Sequence, residues 1–206
     1  MGYEDGEKIP FAELLYVVER IIRNIKIPLS VDIETGYGSS DAEIFENIAS
    51  LYKLGVVGIN IEDSSKTSAG ELIPVDVFAA RINYLKTKMQ EHNICIFINA
   101  RTDAFLLNLC NPLQETLRRI TALGQAGAGG IFIPFIEDEN DIRKVVAVTT
   151  LPVNIMTVAG LPSLEILSAI GVKRISMGNF LYNTVYNSME GRLRKVIGNG
   201  SFDALF

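Results

Sequence analysis

The stretch VDIETGYG, Val31 to Gly38, decides how this chain folds. A β-branched apolar run ends in two acids, Asp32 and Glu34, and a Gly-Tyr-Gly follows at once. The run reads as a strand and the glycines as its turn. Ending a buried strand in charge costs free energy unless a partner meets that charge. The stretch is therefore either a charged turn or one wall of a site.

The pattern recurs outward from it. VVGINIED (56–63) ends in Glu62 and Asp63; ICIFINART (94–102) ends around Arg101, with Asp103 next. GGIFIPFI (129–136), PVNIMT (152–157) and KRISMGN (173–179) complete six strands, with Asn154 and Asn179 late in the last two. Helical segments lie between. FAELLYVVERIIRNI (11–25) carries apolar residues at helical spacing. Ser40-Asp41-Ala42-Glu43 reads as a capping box for a helix that stops at Gly55. Pro74 opens a helix to about His92, and Asn111-Pro112 opens another that ends near Gly127. Further helices are expected near 138–149, 162–170 and 180–197.

The strands look apolar with little alternation, as strands covered on both faces do. Strand–helix alternation implies a parallel sheet. An open doubly wound sheet and a β/α barrel both satisfy it. A complete barrel needs eight strands and about 250 residues; this chain offers six strands in 206 residues. The charged strand ends favour the barrel, whose strand ends converge on one mouth. The expected fold is α/β, a TIM-type (β/α)8 barrel left incomplete, with about six parallel strands in a single domain over 1–206.

Asp32, Glu34 and Glu62 form a hard, oxygen-rich set suited to Mg2+ or Mn2+. Arg101 beside them can hold a carboxylate or phosphonate by a bidentate contact. Gly36 and Gly38 would leave room for substrate or metal-bound water. Each feature has a structural alternative: Asp32 as a helix cap, Glu62-Asp63 as a solvated strand end, Arg101 as a partner of Asp103. Their joint placement at equivalent strand ends favours a site. GYGSSD lacks the third glycine of a dinucleotide loop, and two acids stand where a pyrophosphate would come. His92 is the only histidine, so no nucleophile–histidine pair can be assembled elsewhere.

Net charge is −5, which removes the basic footprint of a nucleic-acid or anionic-membrane binder. No apolar run approaches the roughly 18 residues of a bilayer span, and MGYEDGEKIP is no signal peptide. Cys95 and Cys110 show no metal or redox spacing and read as free buried thiols of a cytoplasmic protein.

With these motifs in place, the chain resembles the isocitrate lyase/phosphoenolpyruvate mutase superfamily, in its phosphonomutase-like branch. DIETGYG is similar to the family's D-x-D-x-G-Y-G, GINIEDS to G-x-x-(I/L)-E-D, NARTDAF to x-A-R-x-(D/E)-A-F, and MGYEDGE to L-G-x-x-D. The resemblance implies a β/α barrel whose last helix is often exchanged between subunits, hence a homo-oligomer, dimer or tetramer. It implies a Mg2+-dependent lyase or phosphonomutase acting on a small 2-oxo or enolpyruvyl acid through an enolate-type species. Asp32 matches the principal metal ligand, with Glu34 and Glu62 completing the acids; Arg101 matches the substrate-anion arginine, and Asp5 the acid of the L-G-x-x-D loop. Gly36, Tyr37, Gly38 and Asn154 join Arg101 as expected substrate contacts. Asp103 and Lys66 are the candidates for acid or base.

Departures accompany the match. SSKTSAGELIP replaces the lyases' K-(K/R)-C-G-H loop, Glu34 replaces an Asp, and Pro134 stands where the mutase has His and the lyases Glu. Two N-terminal strands of the barrel have no counterpart, so an open partial barrel or a subunit completed by another chain is expected. Two other readings remain open: a non-catalytic homologue with a metal-binding or oligomerisation role, and a dinucleotide-binding oxidoreductase.

Overall fold

The computed structural model describes residues 2–4, 6–65 and 70–206. Six strands, β1 (Ser30–Asp32), β2 (Gly58–Glu62), β3 (Phe97–Arg101), β4 (Gly130–Ile133), β5 (Val153–Met156) and β6 (Arg174–Ser176), pair in chain order and all in parallel. Among the described residues seven α-helices accompany them: α1 (Phe11–Ile22), α2 (Asp41–Leu54), α3 (Val75–Glu91), α4 (Pro112–Gln125), α5 (Glu139–Ala147), α6 (Leu164–Ile170) and α7 (Phe180–Asn199). The sheet curls into an incomplete TIM-type barrel. Its curl brings the two outer strands together at one point, where Arg174 Nη2 of β6 donates to Ser30 Oγ of β1 at 3.3 Å.

Local chemistry sets the ends of these elements. Ser40 Oγ accepts the Glu43 amide at 3.2 Å, and the Glu43 carboxylate reaches back to Ser39 N and Oγ, both at 2.7 Å. Gly55 closes α2 at φ +100°, a backbone state that glycine adopts without strain. Asp138 and Ser163 cap α5 and α6 in the same way as Ser40 caps α2. Asn111 precedes α4 but makes no side-chain cap bond, and α1 ends at Ile22 instead of residue 25.

The strands alternate more than their sequence first suggests. Val31, Ile33, Ile59, Ile61, Ile98, Ala100, Ile131, Ile133, Val153 and Ile155 join the core beneath the helices. The intervening residues share the other face, since strand side chains alternate, and these include Asp32, Asn60, Glu62, Asn99, Arg101 and Asn154. Three of them form a row across neighbouring strands. Asn60 Nδ2 donates to Asp32 Oδ2 at 3.1 Å, and Asn99 Nδ2 donates to Asn60 Oδ1 at 2.9 Å. The concave face is thus polar and the convex face apolar.

Two expectations fail here. Cys95 and Cys110 are free but exposed, because each lies outside the apolar face, at the entry to β3 and just before α4. Asn179 is not in β6, which ends at Ser176; it is the residue that precedes α7.

Candidate functional site

Charged groups gather where β1, β2 and β3 end. Arg101, the last residue of β3, is central. Its Nη1 lies 2.8 Å from Glu62 Oε2 and 3.9 Å from Asp32 Oδ2, and its Nε lies 2.6 Å from Asp103 Oδ1. In-register parallel pairing puts Arg101 beside Glu62, so the fold itself creates the pair. Burial pushes the Glu62 carboxyl up to about 8; Arg101 opposes this, while Asp103, Asp32 and Glu34 add to it. Burial also works against the Arg101 charge, but Asp103 and Glu62 outweigh it and hold the guanidinium above its ordinary range.

Asp32 is oriented from two sides. Its Oδ1 accepts the Glu34 amide at 2.9 Å, and its Oδ2 accepts from Asn60. Its side chain stays 43% exposed, open toward the edge of the sheet. Glu34 sits in the turn after β1 at φ +49°. Its carboxylate accepts the Glu7 amide at 2.5 Å and the Tyr37 hydroxyl at 3.2 Å. The Tyr37 hydroxyl is pushed above its usual range, first by burial and then by Glu34.

Glu7 is a residue that sequence reasoning missed. Its Oε1 accepts Thr35 Oγ1 at 2.7 Å, Thr35 N at 3.2 Å and Tyr37 N at 2.9 Å. One carboxylate oxygen thereby gathers the donors of the ETGY turn. Arg119 of α4 was missed as well. Its Nη1 meets Asp63 at 2.8 Å, its Nη2 donates to the Ile73 carbonyl at 2.9 Å, and its Nε meets Glu115 at 2.7 Å. Asp63 in turn accepts the Asp103 amide at 2.9 Å. This buried ion pair secures the carboxylate that grips Arg101. Burial lifts the Asp63 carboxyl to about 6 against the pull of Arg119.

The other expected residues sit in varied surroundings. The space left by Gly36 and Gly38 is filled by α2: a Cβ on either would come within 3.0 Å of Ile44. Tyr37 packs its ring on Phe11, 5.5 Å between centroids. Asp103 is wholly buried and bonded to Arg101 and to Ser64 Oγ, so it holds the arginine in place. Asn154 is buried in β5, and neither side-chain polar atom finds a partner among the described residues. Asp5 and Lys66 lie outside the described residues.

A cavity of about 700 Å³ opens at this edge. Glu34 and Arg101 line it, together with Leu106, Phe135, Met156 and Phe180 and residues of the N-terminal segment, Tyr3, Glu4 and Ile9 among them. Among the described residues, no three acids are already gathered around a single metal position; Arg101 lies where their charges converge. The donor chemistry nevertheless fits a hard divalent cation. Asp32, Glu34 and Glu62 bring three carboxylates to the edge that Arg101 occupies, and their oxygens are hard donors.

The chain is similar to known proteins. The family model described as phosphoenolpyruvate phosphomutase matches residues 1–197. An uncharacterised Mycobacterium tuberculosis protein is 35% identical over 155 residues, covering 75% of this chain and 56% of its own length. The chain therefore spans little more than half of that relative. A Burkholderia cenocepacia crystal structure named as a phosphonomutase superposes with TM-score 0.87 at 38% identity, covering 94% of this chain and 79% of that one. A phosphonopyruvate hydrolase solved with oxalate and Mg++ superposes with TM-score 0.81 at 21% identity, covering 98% and 73%.

Proposed function

Because the chain belongs to the phosphoenolpyruvate phosphomutase family, we propose that it acts on a small 2-oxo or enolpyruvyl acid. The chemistry is that of a Mg2+- or Mn2+-dependent lyase or phosphonomutase, by way of an enolate. The observation that carries this reading is the convergence of Asp32 and Glu62 on Arg101 at the end of three parallel strands. The oxalate and Mg++ held by the phosphonopyruvate hydrolase neighbour support the ligand class.

Asp32, Glu62 and Glu34 would hold the cation and its waters, with Asn60 and the Glu34 amide aiming Asp32. The bound cation supplies positive charge to the substrate oxygen on which negative charge develops. Arg101 binds the substrate anion, a role that its planar donor fork suits. Asp103, backed by Asp63 and Arg119, keeps that fork in one orientation before substrate arrives. Pre-set donors of this kind act without reorganising during the reaction.

The test is thermal unfolding with Mg2+, with oxalate and with both. Oxalate should raise the midpoint strongly only when Mg2+ is present, by linkage to the folded state. No shift with both ligands together would refute the reading.

The partner surface is also part of the proposal. Helix α7 has no buried residue and exposes Phe180, Leu181, Val185, Met189 and Leu193, which favours a homo-oligomer. Sedimentation should find a dimer or tetramer. Free exposed cysteines suit the reducing cytoplasm, and the acidic balance argues against nucleic-acid or membrane partners.

A further inference from the structure

Asp32, Asn60 and Asn99 stand side by side in the register of β1, β2 and β3. With Asp32 ionised, their hydrogen bonds have one possible direction. Asp32 can only accept, so Asn60 must turn its Nδ2 to it and leave its Oδ1 facing β3. Asn99 must then answer with its own Nδ2, at 2.9 Å. The two amides thus form a relay that ends on Asp32. It starts on a residue only 2% exposed, two positions before Arg101 in β3. Gly130 of β4 keeps room for the far end: a Cβ there would lie 3.2 Å from Asn99 Oδ1 and 2.8 Å from the Phe97 ring.

The relay matters because Asp32 has a competing partner. Arg101 Nη1 lies 2.8 Å from Glu62 but 3.9 Å from Asp32 Oδ2, the same oxygen that Asn60 holds. The Asp32 side chain is 43% exposed, so packing alone does not stop it from closing that gap. A carboxylate that closed on the guanidinium would spend its lone pairs there and lose much of its pull on a cation. Asn60 holds it back, and an Asn60 anchored on Asn99 holds more firmly than one free to rotate. Groups that orient a ligating carboxylate are worth about 10–100-fold in metal affinity.

We propose that Asn99 is a positioning residue for the cation: acting through Asn60, it keeps Asp32 off Arg101 and aimed at the metal position. This rests on the metal-and-anion reading given above and extends it inward from the strand ends. Among the described residues, the Asn99 side chain hydrogen-bonds to Asn60 alone, so its effect on Asp32 must pass through that amide.

The test is Mn2+ affinity, read from the electron paramagnetic resonance of the free ion as the intact chain is titrated. The site counted is the one abolished in Asp32→Asn. Asn99→Leu should weaken it about tenfold. Asn60→Ala should weaken it by a similar factor, and adding Asn99→Leu to Asn60→Ala should cost nothing further, because the relay is already cut. Ile98→Val trims a buried side chain next to Asn99 on the helix-covered face and should leave the affinity unchanged, so a general loss of stability does not mimic the effect. Unfolding midpoints without metal show which variants fold. Should Asn99→Leu not fold, Asn99→Ala takes its place, with a loss of at least about threefold that also vanishes beside Asn60→Ala. An Asn99 variant that binds within about twofold of the wild type, or Asn99 and Asn60 losses that simply multiply, overturns the assignment while leaving the metal-and-anion reading intact. Failure of the wild type to bind Mn2+ refutes that reading, and the assignment falls with it.

Discussion

Replacing Arg119 by methionine keeps the length and the apolar stem of the side chain but removes its charge. The arginine side chain is 3% exposed and its partner Asp63 is fully buried, with 2.8 Å between them. In Arg119→Met, Asp63 keeps the Asp103 amide at 2.9 Å but loses the guanidinium. The Ile73 carbonyl and Glu115 lose a donor as well. Breaking a buried pair from one side costs about 3–5 kcal/mol. Equilibrium urea unfolding at pH 8, followed by circular dichroism, should show that loss.

The pH dependence gives a second check on the same variant. In the wild type, burial raises the Asp63 carboxyl from 3.8 to about 6. A carboxyl raised by folding binds its proton more tightly in the native state, so stability falls as pH rises between those values. Without Arg119 the carboxyl rises further. The penalty of Arg119→Met should therefore be larger at pH 8 than at lower pH and shrink as pH falls, because a proton then neutralises Asp63. The double variant Asp63→Asn/Arg119→Met removes both charges and should recover at least half of the loss. A penalty below about 1 kcal/mol at pH 8, or one that grows at low pH, would refute the buried-pair reasoning.

Other perturbations probe the remaining parts. Phe135→Gly relieves a positive φ and should stabilise the protein by about 1 kcal/mol in urea unfolding; a loss would show that the ring supports the fold. Glu7→Ala removes an acceptor shared by three donors and should cost about 2 kcal/mol, with faster hydrogen exchange at the Tyr37 amide; Glu7→Gln should restore part of it. Because Glu62 titrates near 8 in the fold against 4.5 ordinarily, the metal-free protein should lose stability as pH rises through that window. Glu62→Gln should flatten that slope, by up to about 1.4 kcal/mol per pH unit, in urea midpoints measured across the range.

The gathering of charge at one edge was legible from residue order. Asp32, Glu62 and Arg101 end successive strands, and parallel pairing must place such ends on one edge. The parts that escaped depend on contacts that sequence spacing does not encode. Glu7 reaches the ETGY turn across about 30 positions, through a backbone kink at its own positive φ. Arg119 reads as a solvated helix charge until α4 is laid over the end of β2. Asn60 and Asn99 are legible in GINIE and INAR, which alternate apolar and polar, against the reading of the strands as apolar with little alternation. The glycines of GYG were legible as special, yet the close approach they permit is to Ile44 of α2. Cys95 and Cys110 read as buried thiols because their spacing suits no metal or redox site, but spacing says nothing of exposure, and both are exposed.

The central claim is that the ends of β1 to β3 form a divalent-cation site next to an anion-binding arginine. Crystals grown with Mn2+ and oxalate, with data collected at the manganese absorption edge, test it most directly. The account predicts one strong anomalous peak beside Asp32 and Glu62, with oxalate between the ion and Arg101. Oxalate bound without manganese at that edge, or manganese bound only elsewhere on the chain, would contradict it.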